Sequence, residues 1–97
     1  MGATLNAGIG MGAYVLTDRA TWISFDNKQD YTIQVEGDDD LFNQYGVIPV
    51  NPAKCPSVNV EGAKTFSDWL VSAEGQDAIA AYTINDQQLF FPNAPKN

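Results

Sequence analysis

The sequence predicts an α/β fold, a small mixed sheet with flanking helices, and three observations support this prediction. Short runs rich in β-branched and aromatic residues occur at residues 14–17, 31–35 and 45–50, which is typical of strands. Apolar residues recur at helical spacing from Ala63 onward, so helices are expected to pack on that sheet. A length of 97 residues suits one small core, and a single domain over residues 1–97 is expected.

In the first half of the chain the pattern alternates between helix and strand. The predicted order is a short helix at 3–7, a glycine-rich exit at 8–12, a strand at 14–17, a helical turn at 19–25 and a strand at 31–35. Asp18 or Thr17 is the expected N-cap of the second helix. Tyr31, Ile33 and Val35 alternate along the run at 31–35 and are predicted to share one strand face.

The second half begins with the acidic run Asp38–Asp40, which is close to Glu36. Acidic residues favour a helix N-terminus, so a helix start or solvated turn before Leu41 is preferred over a cation site. Residues 45–50 form the third predicted strand, with Pro49 limiting it to an edge or bulge. A loop is expected over 51–60.

Two helices and a turn are predicted after this loop. Phe66, Trp69, Leu70 and Ala73 recur at helical spacing, which predicts a stripe facing the core. Ser72 is the expected N-cap of the next helix, and Glu74 would lie in its first turn. Residues 85–86, Asn-Asp, are predicted to form a turn before the final apolar run.

Composition excludes several functional classes. The chain has 12 acidic and 5 basic residues, a net charge of −7, which argues against nucleic acid and anionic membranes as partners. It has no histidine and one cysteine, Cys55, so neither a metal site nor a nucleophile–base pair is expected and the protein is predicted not to be an enzyme. Residues 1–13 lack the regions of a signal peptide, and no apolar run reaches the ~20 residues of a membrane span.

The glycine motif at residues 8–13 formally matches the dinucleotide fingerprint, but it is predicted to precede a strand and to follow a helix, so a turn is preferred. The remaining candidates are two helix N-termini, at Gly2-Ala3-Thr4 and at Asp18-Arg19. Free backbone N–H groups at such ends bind anions even in an acidic protein.

Several stretches together resemble a known family. Residues 66–79, FSDWLVSAEGQDAI, resemble the C-terminal helical signature of type 2 periplasmic solute-binding proteins. Residues 35–38 and 41–52, VEGD and LFNQYGVIPVNP, are similar to the tungstate-binding proteins of ABC importers, as are residues 1–6, 13–19 and 87–94. The resemblance covers nearly the whole chain and corresponds to the C-terminal portion of such proteins. The family's Ser-Arg-Gly-Asp-x-Ser-Gly-Thr motif has no match here.

The resemblance implies a partial type 2 periplasmic-binding-protein fold, a periplasmic location and a solute-binding role in an importer. Its ligand would be tungstate or molybdate, its partner an ABC transporter permease, and no cofactor or membrane insertion is expected. The implied ligand contacts are the backbone N–H groups of Gly2, Ala3 and Thr4 and the Thr17 hydroxyl, with Arg19 a weaker candidate that could instead pair with a carboxylate.

The alternative is a binding-incompetent module that retains surfaces for assembly. A chain equivalent to part of a larger fold should expose apolar groups, and a homo-oligomer is therefore expected. The groups predicted to lack partners lie on the short second helix (Trp22, Ile23 and Phe25) and at residues 89–91.

Overall fold

The computed structural model describes residues 1–95, which contain four α-helices, a 3-10 helix and a two-stranded sheet. The fold class is thus confirmed as helices with a small sheet. The α-helices are α1 (Gly2–Gly10), α2 (Arg19–Ser24), α3 (Val60–Leu70) and α4 (Ala73–Ala81). The 3-10 helix spans Asp39–Leu41, and the strands are β1 (Thr83–Ile84) and β2 (Gln87–Gln88).

The chain divides into two compact units. The first comprises Met1–Gln44 and Thr83–Leu89, and the second comprises Tyr45–Tyr82 with the described residues from Phe90 onward. The first unit contains α1, α2, the 3-10 helix and the sheet, whereas the second contains α3 and α4.

The buried apolar residues lie in the first unit. They are two residues of α1, one of α2 and one that follows β2: Leu5, Ile9, Ile23 and Leu89. Leu5 and Ile9 are four residues apart and therefore lie on the same face of α1. The helix is longer than the 3–7 predicted, because Gly8 and Gly10 continue it instead of forming its exit.

Helix α2 is fixed at both ends. The Asp18 carboxylate accepts a hydrogen bond from Thr21 N at 3.0 Å, as an N-cap should, and this confirms one of the two predicted caps. At the other end, Lys28 Nζ donates to the carbonyl oxygens of Phe25 and Ile23. A cation there satisfies terminal carbonyls and favours the negative end of the helix dipole.

Strands β1 and β2 form an antiparallel hairpin in which Ile84 is opposite Gln87. The two loop residues, Asn85 and Asp86, have φ values of 53° and 62°. Positive φ at both loop positions defines a type I′ turn, whose twist matches that of the flanking strands. The predicted turn is confirmed.

Helices α3 and α4 approach each other closely at Gly75, the one buried residue among the described residues of the second unit. A Cβ atom placed on Gly75 would collide with the Trp69 carbonyl oxygen and lie 3.1 Å from Leu70 Cα. Ser72 caps α4 as predicted, because its hydroxyl accepts from Gly75 N at 3.1 Å. Gln76 closes the corner, donating to Leu70 O at 2.7 Å and accepting from Ala94 N at 3.0 Å.

The three predicted strands at 14–17, 31–35 and 45–50 are wrong, because none of these segments takes part in a sheet within residues 1–95. A strand forms only when a neighbouring strand supplies hydrogen-bonding partners for its backbone. High β propensity shows that a segment fits well into a sheet, but it does not provide that neighbouring strand. The apolar residues of these runs consequently remain exposed, for example Leu16 at 72% and Ile48 at 86%.

Two predictions about exposure are also wrong. Phe66 and Trp69 do not face a core, since they are 60% and 38% exposed. Their rings stack on each other with their centroids 6.4 Å apart. The residues are exposed because the predicted sheet that α3 would cover is absent from the described residues. Conversely, Ile23 and Leu89 were expected to lack packing partners, but both are buried. The same expectation for residues 89–91 holds only for Phe91, which is exposed.

Replacing Gly75 with alanine should lower the free energy of unfolding by about 2 kcal/mol or more, because the added methyl group meets backbone that cannot rotate away. Urea unfolding followed by circular dichroism measures the change. Gly10→Ala is the matched control, since a Cβ there has no neighbour within 4 Å and alanine favours a helix by about 1 kcal/mol. Equal losses in both variants would contradict the close approach of α3 and α4.

Replacing Asp86 with glycine should raise the free energy of unfolding by about 0.5 kcal/mol, because glycine adopts positive φ without steric cost. Thermal unfolding measures this change. Gln87→Gly, placed in β2 outside the turn, should be destabilising. A loss of stability in Asp86→Gly would contradict the type I′ turn.

Candidate functional site

The N-terminus of α1 presents free backbone donors. Leu5 N donates to Met1 O at 3.0 Å, which is the first bond of the helix ladder. The N–H groups of Gly2, Ala3 and Thr4 precede that bond, and helix geometry gives them no acceptor within the helix. Met1 is the N-cap residue and its side chain accepts no capping hydrogen bond. These three N–H groups can therefore serve an external anion.

An open groove runs beside α1 on the first unit. It is lined by Ala3, Thr4, Ala7, Gly8, Tyr14, Val15 and Leu16. Val15 packs directly against Gly8, where any Cβ atom would collide with the Val15 Cγ2 methyl group. Gly8 thus allows the segment before Thr17 to lie close to the helix, and it explains a glycine in the interior of α1.

Thr17 and Asp18 lead directly into α2. The Thr17 hydroxyl donates to Asp18 O at 3.1 Å, while the Asp18 carboxylate is the N-cap. Partial burial raises the pKa of Asp18, but the hydrogen bonds with Thr21 and smaller backbone and charge contributions together outweigh it and hold the pKa below the ordinary value of an aspartic acid. The Asp18 carboxylate therefore occupies the Thr21 N–H donor at the start of α2.

Arg19 connects three segments that are distant in sequence. Its Nε donates to Gln88 O at 2.8 Å, and its Nη1 lies 3.4 Å from Glu36 Oε2. The expectation that Arg19 could pair with a carboxylate is confirmed. A guanidinium engaged in this way ties α2 to β2 and to the segment after residue 35.

The structure brings together only part of the predicted site. Ala3 and Thr4 line the same groove as residues 14–16, and Gly2 begins the same helix. Thr17 and Arg19 do not line that groove. The acidic run does what a helix start should do, since Asp38 Oδ1 accepts from Asp40 N at 2.8 Å and the 3-10 helix follows.

The described residues contain neither a candidate metal site nor a candidate membrane span. Within residues 1–95, no group of three or more His, Cys, Asp or Glu side chains is arranged to hold a metal ion. None of the helices there has both the length and the apolar character needed to span a bilayer.

The first unit combines a partial α/β fold with a helix whose N-terminus presents free N–H groups, and comparison with known proteins places the chain in a family. Residues 1–74 match the PBP superfamily domain, and the chain belongs to that superfamily. The resemblance to tungstate-binding proteins of ABC importers is confirmed by its relatives.

Three curated relatives match the chain. It is 48% identical over 97% of its length to a Haloferax volcanii protein whose name describes an ABC transporter anion-binding protein. It is 45% identical over 99% of its length to the tungstate-binding protein TupA of Peptoclostridium acidaminophilum, and 37% identical over 82% to TupA of Campylobacter jejuni. The chain spans 29%, 34% and 31% of these relatives, respectively. No solved structure matches it.

Several residues that position the site are not evident from the sequence alone. Glu36 and the Gln88 carbonyl hold Arg19, and nothing local in the sequence connects positions 17 and 69 residues away from it. Gly8 and Gly75 had a usable signal, because glycine is costly within a helix and its presence indicates a close backbone approach.

The Asp18 cap should make stability depend on pH. Its pKa is lowered in the folded state, so the carboxylate stabilises the fold fully above the unfolded pKa of about 4 and loses this effect as pH falls through the lower folded pKa. Unfolding in urea, measured from pH 7 to pH 2, should show less acid destabilisation in Asp18→Asn than in the original protein. Asparagine caps a helix without titrating, so parallel pH profiles would contradict this role.

Proposed function

We propose that this chain acts in solute binding for an ABC-type importer of tungstate or molybdate. The observation that carries the proposal is 45% identity to a tungstate-binding protein over 99% of the chain. The free N–H groups at the start of α1 support it independently, since they offer the chemistry that an oxyanion needs.

The proposed ligand is a tetrahedral dianion, which fixed neutral N–H and O–H dipoles can bind without a positively charged side chain. The backbone N–H groups of Gly2, Ala3 and Thr4 are the principal donors, and the Thr17 hydroxyl is a further candidate that would have to leave the Asp18 carbonyl oxygen, to which it donates. A net charge of −7 does not prevent binding, because such donors act over a few ångströms while exposed charges beyond about 8 Å are screened.

Arg19 is the weaker member of the proposed site. Its Nε and Nη1 contact Gln88 O and Glu36, and an oxyanion would compete with that carboxylate for the guanidinium. Binding of an oxyanion by Arg19 would therefore require rotation of the guanidinium away from Glu36, which is 64% exposed in its side chain.

The proposed role also implies a partner protein and a cellular location. The relatives are binding proteins by name, and no catalytic step or cofactor is proposed. The partner would be an ABC transporter permease, and the location would be periplasmic.

The test is calorimetric titration of the full chain with tungstate, molybdate and sulfate, in parallel with a Gly2→Pro variant. Proline is well accommodated at the first position of a helix, yet it removes one N–H donor. We expect tungstate affinity to fall about tenfold, as for loss of one hydrogen bond to a charged group.

Gly2→Ala is the matched control, because it keeps the N–H group and its Cβ would have no neighbour within 4 Å. It should bind tungstate like the original protein. Equal affinity in Gly2→Pro would remove the α1 N-terminus from the site, and the absence of heat at millimolar oxyanion would contradict ligand binding by this chain.

A second candidate function is assembly without ligand binding, and one observation favours it. The second unit has large exposed apolar residues, including Ile48 and Phe66, which a second copy of the chain could cover. A homo-oligomer is the proposed state of the isolated chain. Self-association without any oxyanion binding would favour this function over the first.

A further inference from the structure

The first unit carries most of the negative charge of the chain. It contains eight of the 12 acidic residues, and its basic residues are Arg19 and Lys28. Lys28 is engaged at the C-terminal end of α2, where its Nζ donates to the carbonyl oxygens of Ile23 and Phe25. Arg19 is therefore the cation at the other end of α2, which follows the segment beside the candidate site.

The Arg19 guanidinium already has an anionic partner within the chain. Its Nη1 lies 3.4 Å from Glu36 Oε2, and the side chains of the pair are 32% and 64% exposed. An ion pair of this length and exposure is weak. The bond from Nε to Gln88 O, at 2.8 Å, uses a different nitrogen. Because a guanidinium has five N–H donors, Nη1 can exchange its partner while Nε keeps Gln88.

The start of α2 lies close to the start of α1. Leu16 lines the groove beside α1, and Arg19 follows it by three residues. Besides burial, which raises it, and hydrogen bonds, which lower it, the pKa of Asp18 is also lowered by the positive charge at the Met1 nitrogen. Such an effect weakens with distance. An oxyanion at the start of α1 would therefore lie in the electrostatic field of the adjacent Arg19 guanidinium.

We propose that Glu36 is an internal competitor that sets the oxyanion affinity of this chain, because it holds Arg19 Nη1 until an oxyanion displaces it. This inference rests on the proposed oxyanion binding. The exchange breaks the contact between Nη1 and Glu36, and the exposed carboxylate returns to water. The attraction between the guanidinium and the ligand scales with ligand charge, so a dianion gains more from the exchange than a monoanion does.

The experiment is calorimetric titration of the full chain and of Glu36→Gln, with tungstate and with perrhenate, a tetrahedral monoanion of similar size. Glutamine keeps the length of the side chain and removes its charge. We expect tungstate affinity to rise about threefold in Glu36→Gln, as for removal of a weak competing ion pair, and perrhenate affinity to rise less. A residue that only stabilised the fold would not increase affinity when replaced.

Asp40→Asn is the matched control, because it removes one charge from an exposed residue of the same unit. It should change tungstate affinity less than Glu36→Gln does, and equal gains in both variants would overturn the inference. Glu36→Gln should also give no gain in an Arg19→Gln background. The first comparison decides even where Arg19→Gln does not fold, since Glu36 and Asp40 are both exposed.

The outcomes separate this inference from the proposed function. Equal tungstate affinity in Glu36→Gln and the original protein overturns the inference and leaves oxyanion binding standing. Binding by Glu36→Gln alone supports the inference and contradicts oxyanion binding by the original chain. The absence of heat in both proteins at millimolar tungstate overturns both.

Discussion

Scarcity of buried apolar surface is the constraint on which this structure depends. Four large apolar side chains are buried among the described residues, and all four lie in the first unit. Local polar contacts therefore define much of the rest: side-chain oxygens of Asp18, Asn59 and Ser72 cap the three later α-helices. Each such cap is worth about 1 kcal/mol, which fixes where a helix begins but cannot replace a core.

The distinction between local and distant interactions explains what could be predicted. Helix starts at Asp18 and Ser72 and the turn at Asn85 were accessible from sequence, because each depends on residues within a few positions. The strands at 31–35 and 45–50 were not, because a ladder is formed with a partner that propensity does not specify. The pattern of apolar residues in these segments is still informative. It indicates that residues 31–35 suit a strand with one covered face, whereas residues 45–50 suit a strand covered on both faces.

The candidate site also contains residues defined by local interactions and residues defined by distant ones. Gly2, Ala3 and Thr4 could be identified from sequence because the unpaired donors of a helix start are a property of the helix itself. Pairing of Arg19 with a carboxylate could also be predicted, but its backbone acceptor could not, since Gln88 lies 69 positions away. The guanidinium both neutralises part of the Glu36 charge and fixes β2 against the start of α2, so positioning explains its contacts without any ligand.

The corner between α3 and α4 shows how polar geometry and apolar exposure coexist in the second unit. Gly75 lets the two backbones approach, Ser72 caps the second helix, and Gln76 bonds at once to Leu70 O and Ala94 N. These contacts specify the angle of the corner within the backbone itself. Phe66 and Trp69 remain exposed on α3, so burial of their rings contributes little to that angle, and the polar contacts at Ser72, Gly75 and Gln76 carry it.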